Sequence, residues 1–183
     1  MLGPALALAV GLSWIPLYVF RPEEMRDALP YYSGAERRWV RGGPAIIAAH
    51  VTLGCVLLSF ADPSPWLAAG GAALGAAGVA FWFWGRAQIG PLRVTRLPDE
   101  PPRELQRHGA FGLVRHPLYL GYLVIAAVPV IVAGRPILLC TLAGCFVVLA
   151  VRADQEERRL NAQLGAPYAE YCRTVKRLIP FVW

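Results

Sequence analysis

Five apolar runs dominate the chain, at residues 2–20, 42–61, 63–85, 116–134 and 136–151, and none of them contains Asp, Glu, Lys or Arg. A helix crossing a bilayer needs about 20 apolar residues at about 1.5 Å rise each. The fifth run reaches only about 24 Å at that rise, and Arg152 at its end can snorkel to the lipid surface and make up the difference. The pattern predicts transmembrane helices over about 2–20, 44–61, 65–85, 117–133 and 136–151. The first run has no basic residue ahead of it and no small-x-small cleavage site before its aromatic end at Trp14–Phe20, so it reads as a span and not as a signal peptide. Ala133-Gly134-Arg135-Pro136 is short enough only for an antiparallel helical hairpin.

Past the fifth run the period changes. Leu160, Leu164, Tyr168, Tyr171 and Val175 recur at three- and four-residue steps among polar neighbours, which predicts amphipathic helix over 153–175. Gly165-Ala166-Pro167 predicts a break within it. The fold expected is an all-α integral membrane protein in one domain, residues 1–183. Five transmembrane helices, the last two a hairpin, are joined by a cytoplasmic loop at 86–116 and followed by C-terminal amphipathic helices within 152–177.

Composition agrees. The 183 residues are 56% apolar and only 16% charged, against roughly 25% charged in a soluble globular chain. The net charge of +6 is a matter of placement. The segments between and after the runs carry five, none, six, one and six basic residues in order, so all 18 but Arg135 fall on one side. Basic loops stay inside. This puts the N-terminus outside and the C-terminus in the cytoplasm of a multi-pass protein of the cell (inner) membrane, and it leaves no surplus charge for a nucleic-acid partner.

Trp14, Tyr18 and Phe20 close the first run, while Trp66 and Phe81-Trp82-Phe83-Trp84 bracket the third, as an interfacial aromatic belt would. Gly70, Gly71, Gly75 and Gly78 suit close helix packing. His50, alone in the second run, is expected to make an interhelical hydrogen bond. Cys55, Cys140, Cys145 and Cys172 lack metal or disulfide spacing and read as small buried hydrophobes. No metal site is expected.

Two polar pieces remain. The first is Gly109-Ala110-Phe111-Gly112-Leu113-Val114-Arg115-His116-Pro117-Leu118-Tyr119-Leu120-Gly121. Pro117 fits the first turn of a helix, whose free N–H groups, with Arg115 and His116, could receive a carboxylate or phosphate. The same residues also fit a basic membrane flank with a helix-starting proline. The second piece runs from Arg152 through Glu156 and Glu157 to Leu160, then Leu164-Gly165-Ala166-Pro167-Tyr168-Ala169-Glu170-Tyr171. Arg152 and Glu156 stand one turn apart, either as an ion pair or as an anchor for an anion beside an acceptor for hydroxyl or ammonium groups.

Together, Gly-x-aromatic-x-x-x-Arg-His-Pro-x-Tyr-x-Gly and the later Glu-Glu-x-x-Leu-x-x-x-hydrophobic-Gly-x-x-Tyr-x-x-Tyr resemble the isoprenylcysteine carboxyl methyltransferase family, a relative of the phospholipid N-methyltransferases. The resemblance runs from about Arg86 to Pro180. It implies S-adenosylmethionine in a cytoplasm-facing pocket, lined by Arg103, Glu104, Leu105, Gln106, Phe111, His116, Pro117, Leu118, Tyr119 and Glu156. Arg152 falls where the family places an arginine near the substrate carboxylate, and Arg115 joins it as a second catalytic candidate. Phe111 stands where the prenylcysteine enzymes usually have tyrosine.

The implied reaction methylates a lipophilic acceptor at the cytoplasmic face, above all a carboxylate of the isoprenylcysteine type. A carboxylate is already ionised, so in-line displacement at a sulfonium needs alignment and no general base. A lipid, an isoprenoid acid, an amine and a small thiol all suit the sequence as acceptors, with membrane lipids as surroundings, and no pattern specifies an oligomeric state. Competing readings are an NADPH-dependent sterol-type reductase and a non-enzymatic membrane protein.

Overall fold

In a computed structural model of the chain, residues 2–19, 34–89 and 105–183 are described. Seven helices occupy them: α1 (Leu2–Val19), α2 (Gly34–Ser59), α3 (Pro65–Ile89), α4 (Ala110–Leu113), α5 (Pro117–Ala133), α6 (Pro136–Leu164) and α7 (Ala166–Thr174). No strand occurs among the described residues, whose one isolated bridge joins Val114 and Lys176 in parallel. Gly42–Ser59 of α2, together with α3 and α6, are long and apolar enough to cross a membrane, and Leu2–Leu12 and α5 are shorter apolar helices.

α5 is the centre of the packing. Ten of its 17 residues are buried, from Pro117 to Val132, against five of 25 in α3. At about 1.5 Å per residue α5 is only about 25 Å long, shorter than a hydrocarbon core of about 30 Å. It packs against α3 along one side and against α2 and α6 on others, and its Tyr122 meets Trp14 of α1.

The α3–α5 contact rests on Gly71, Gly78 and Gly85, spaced at seven residues, the three glycines of α3 that are buried. A Cβ at Gly78 would lie 2.9 Å from Ile125 Cγ1 and 3.2 Å from the Gly121 carbonyl, and one at Gly85 would lie 3.1 Å from Leu118. Gly70 faces open space, so half of the expected glycine face is the packing face. Opposite, His50 of α2 is fully buried. Its Nε2 donates to the Ala126 carbonyl at 2.9 Å, and its Nδ1 meets Thr141 Oγ1 at 2.7 Å. The expected interhelical hydrogen bond is therefore double and ties α2 to both α5 and α6.

The α5–α6 connection is the tight turn expected, closed by Gly134 at φ 60°. α6 continues unbroken through Arg152 to Leu164, so its 29 residues run well past any hydrocarbon layer. It stops where the sequence predicts, at Gly165 with φ 61°, and α7 begins at once.

The aromatic belt is only partly as expected. Trp66, Phe83 and Trp84 face outward, whereas Trp14 and Trp82 are buried, Trp82 to 2% exposure. In a helix that is apolar on all sides, sequence cannot separate the inward from the lipid-facing aromatic, and it is packing on α5 that separates them.

Candidate functional site

The site forms where the chain enters α5, passes the projecting end of α6 and returns after α7. Gly109, at φ 62°, turns the chain into α4, and the Ala110 N–H donates to Gln88 Oε1 of α3 at 3.0 Å. Val114 then extends, and Arg115 and His116 donate their backbone N–H groups to the Lys176 and Arg177 carbonyls at 2.8 and 3.1 Å. The segment after α7 is thereby stitched to the segment before α5. Tyr171 adds a hydroxyl bond of 2.6 Å to the Phe111 carbonyl.

Glu157 is the hub beneath this seam. Its side chain is only 11% exposed and accepts from Arg115 Nε at 2.9 Å, His116 Nε2 at 3.0 Å and Arg177 NH2 at 2.6 Å. Burial alone would raise its pKa, but these three donors outweigh burial and bring the carboxyl down to about 2. For His116 burial favours the neutral ring, while hydrogen bonds and the charges of Glu156 and Glu157 prevail and raise its pKa. Arg177 is raised mainly by its hydrogen bond to Glu157. Tyr168 and Tyr171 are raised by burial, which keeps both phenols protonated.

Glu156, the next residue, has the opposite character. Its side chain is 42% exposed, its Oε2 accepts from the Tyr119 hydroxyl at 3.1 Å, and His116 Nδ1 lies 3.5 Å away. The His116 and Tyr119 rings stack nearly parallel, 5° apart in plane and 5.3 Å between centroids. An open carboxylate thus sits beside a flat aromatic pair. Arg152, half-buried one turn earlier on α6, makes no hydrogen bond or ion pair with a described residue, so the Arg152–Glu156 ion pair is not formed.

His116, Tyr119 and Glu156 are brought together where the start of α5 meets the C-terminal half of α6, whereas Pro117 and Leu118 pack against Gly85 of α3. Phe111 is half-buried against the core, and Leu105 and Gln106 are half-buried ahead of α4. Arg103 and Glu104 lie outside the described residues. Arg115 stands differently from its expected part as a donor at the mouth. Its guanidinium also donates to the Cys172 and Val175 carbonyls, at 2.9 and 2.6 Å, and is spent on holding the tail. Glu157 and Arg177 were not singled out from sequence, although Glu157 lies in a quoted motif. The doubled Glu at 156–157 was the available signal, since neighbouring helix positions point to different sides.

Comparison with known proteins follows the same segment. The protein-S-isoprenylcysteine O-methyltransferase A of Arabidopsis thaliana is 35% identical over 96 residues, 49% of this chain and 46% of its own length. The methanethiol S-methyltransferase 2 of Bradyrhizobium diazoefficiens is 44% identical over 71 residues, 38% of this chain and 26% of its own. A Delta(14)-sterol reductase of Mus musculus is 32% identical over 90 residues, 48% of this chain and 22% of its own. The chain thus spans less than half the length of these relatives. The family model for isoprenylcysteine carboxyl methyltransferases matches residues 72–162, the stretch from α3 through the stacked His116 and Tyr119 to Glu156 and Glu157. On that match, the chain belongs to the isoprenylcysteine carboxyl methyltransferase family.

Proposed function

We propose that this protein transfers a methyl group from S-adenosylmethionine to a lipophilic acceptor at the cytoplasmic face of the cell membrane, with five spans, the N-terminus outside and the C-terminus inside. The observation that carries this reading is the placement, one turn apart on the part of α6 beyond the apolar run, of the half-exposed carboxylate of Glu156 and of Arg152, whose guanidinium pairs with no described residue. The donor set fits the cofactor: Glu156 can accept from ammonium or hydroxyl groups, and the Tyr119 ring beside it suits a cation. When bound, the cofactor supplies an electrophilic methyl on a sulfonium whose leaving group is neutral.

The chain's own part is then alignment. Glu156, oriented by the Tyr119 hydroxyl and His116, holds the cofactor side. Arg152 receives the acceptor, for which a carboxylate offers a planar, bidentate match. Glu157 positions His116, while Arg115 and Arg177 hold Glu157 and the tail in place. None of these groups has to take a proton if the acceptor is an isoprenylcysteine-type carboxylate. A thiol acceptor is the second reading, favoured by the 44% identity to a protein named methanethiol S-methyltransferase. Resemblance to a sterol reductase also covers this segment, so cofactor choice is part of the test.

The experiment supplies methyl-labelled S-adenosylmethionine, or NADPH, to membranes containing the protein, with N-acetyl-S-farnesylcysteine or methanethiol as acceptor. Label in an ester is the expected product. Binding of NADPH with no methylated product would overturn the reading.

A further inference from the structure

Trp82 does not serve the role its position suggests. An interfacial tryptophan points its N–H at water or headgroups, but Trp82 is 2% exposed and its Nε1 has no hydrogen-bond partner among the described residues. Inside a membrane-spanning helix no bulk water can supply one. An indole donor buried this way is costly and would be better replaced by phenylalanine, unless a ligand meets it.

Its surroundings point to where that ligand lies. The Trp82 Cβ packs at the Cα side of Gly121, where an added Cβ would come within 2.9 Å. The ring stands edge-on to Tyr122 of α5 at 6.3 Å, and Tyr122 in turn meets buried Trp14 of α1 at 5.5 Å. Tyr122 lies one helical turn from Tyr119, about 4.5 Å along the axis, on the membrane side of the Tyr119–Glu156 pair. Three aromatic residues from three helices therefore meet one turn to the membrane side of the Tyr119–Glu156 pair.

We propose that Trp82 donates its indole N–H to an oxygen of the methyl acceptor, with Trp14 and Tyr122 flanking the apolar portion next to that oxygen. The inference rests on the methyl-transfer reading and deepens it. The acceptor is a lipophile carrying a carbonyl or carboxyl oxygen near its reactive end. A bare thiol, whose sulfur is a weak acceptor, makes no use of this donor. Trp82 acts here on acceptor specificity and has no contact with the cofactor.

Trp82→Phe keeps a ring and removes only the donor and the benzo edge. With N-acetyl-S-farnesylcysteine, loss of one neutral hydrogen bond raises KM about three- to tenfold. The kcat, the affinity for S-adenosylmethionine and the KM for methanethiol stay as in the wild type, and thermal stability in detergent is equal or higher. An unchanged KM for the farnesyl compound overturns the proposal. So does a joint loss of stability and of both affinities, which marks a purely structural tryptophan. Should the wild type methylate neither compound, the methyl-transfer reading fails, and the donor is still tested by NMR. In nanodiscs, the 15N-indole resonance missing from Trp82→Phe shifts downfield when N-acetyl-S-farnesylcysteine is added. No shift at saturating compound overturns the proposal.

Discussion

The apolar bundle and the polar cap above it are held together by opposite means. Between α3 and α5 the joint is glycine against side chain, dry and uncharged, and tolerant of nothing larger at Gly78. In the cap, Glu157 gathers two guanidiniums and an imidazole from residues 20 to 42 positions away. The first joint fails by overpacking, the second by leaving buried charge uncompensated. A cap of this kind stabilises little beyond what a well-packed apolar one would, but it orients His116, and through it the open Glu156.

The sharpest break removes the hub. Glu157→Gln leaves Arg115 and Arg177 facing a neutral amide, and losing one partner of a buried charge cluster costs about 3–5 kcal/mol. The expected outcome is fast hydrogen exchange and proteolysis across residues 166–177, with the α3–α5 amides still protected. Loss of protection in both regions together would mean that cap and bundle are one cooperative unit.

Gly78→Leu breaks the other joint. Its Cβ meets Ile125 Cγ1 and the Gly121 carbonyl, and overpacking of this kind costs about 1–3 kcal/mol. Gly70→Leu, facing open space, should leave the melting temperature in detergent near the wild-type value. Equal effects at the two positions would contradict the assignment of the packing face.

A milder break of the cap is made by pH. Because the folded-state pKa of His116 is raised above its ordinary 6.5, its contribution is complete below about that pH and is lost as pH rises through the folded value. Glu157 works the other way: held at about 2 against an ordinary 4.5, it contributes above 4.5 and is lost as pH falls towards 2. Stability should therefore decline on the alkaline side. A melting series in a His116→Gln variant should lack that decline.

The smallest effect belongs to His50→Leu. It removes the two bonds that bridge α2 to α5 and α6, and interhelical bonds in membranes average about 0.6 kcal/mol. Thr141 can turn to the Leu138 carbonyl at 3.2 Å, which keeps the loss small. A change in melting temperature larger than that for Gly78→Leu would contradict this ranking.

How far each region could be read from sequence follows from the range of its forces. Helix starts at Pro117 and Pro136, the turn at Gly134 and the stop at Gly165 are set by local backbone chemistry, and all were legible. His116, Tyr119 and Glu156 were legible as one group through two motifs. The Glu157 hub was not, because its partners at 115, 116 and 177 meet only after the tail pairs with Arg115 and His116 through backbone atoms. Nor was the inward turn of Trp82, since nothing polar marks the buried side of α3.

The central claim is that Glu156 and Arg152 face a cofactor and an acceptor respectively. Its most direct measurement is methyl transfer by Glu156→Gln and Arg152→Lys, with separate determination of S-adenosylmethionine affinity and acceptor KM. Glu156→Gln should weaken cofactor binding. Arg152→Lys, which loses the planar fork, should raise the KM for N-acetyl-S-farnesylcysteine and leave cofactor affinity intact. Full activity and unaltered affinities in both variants would contradict the account.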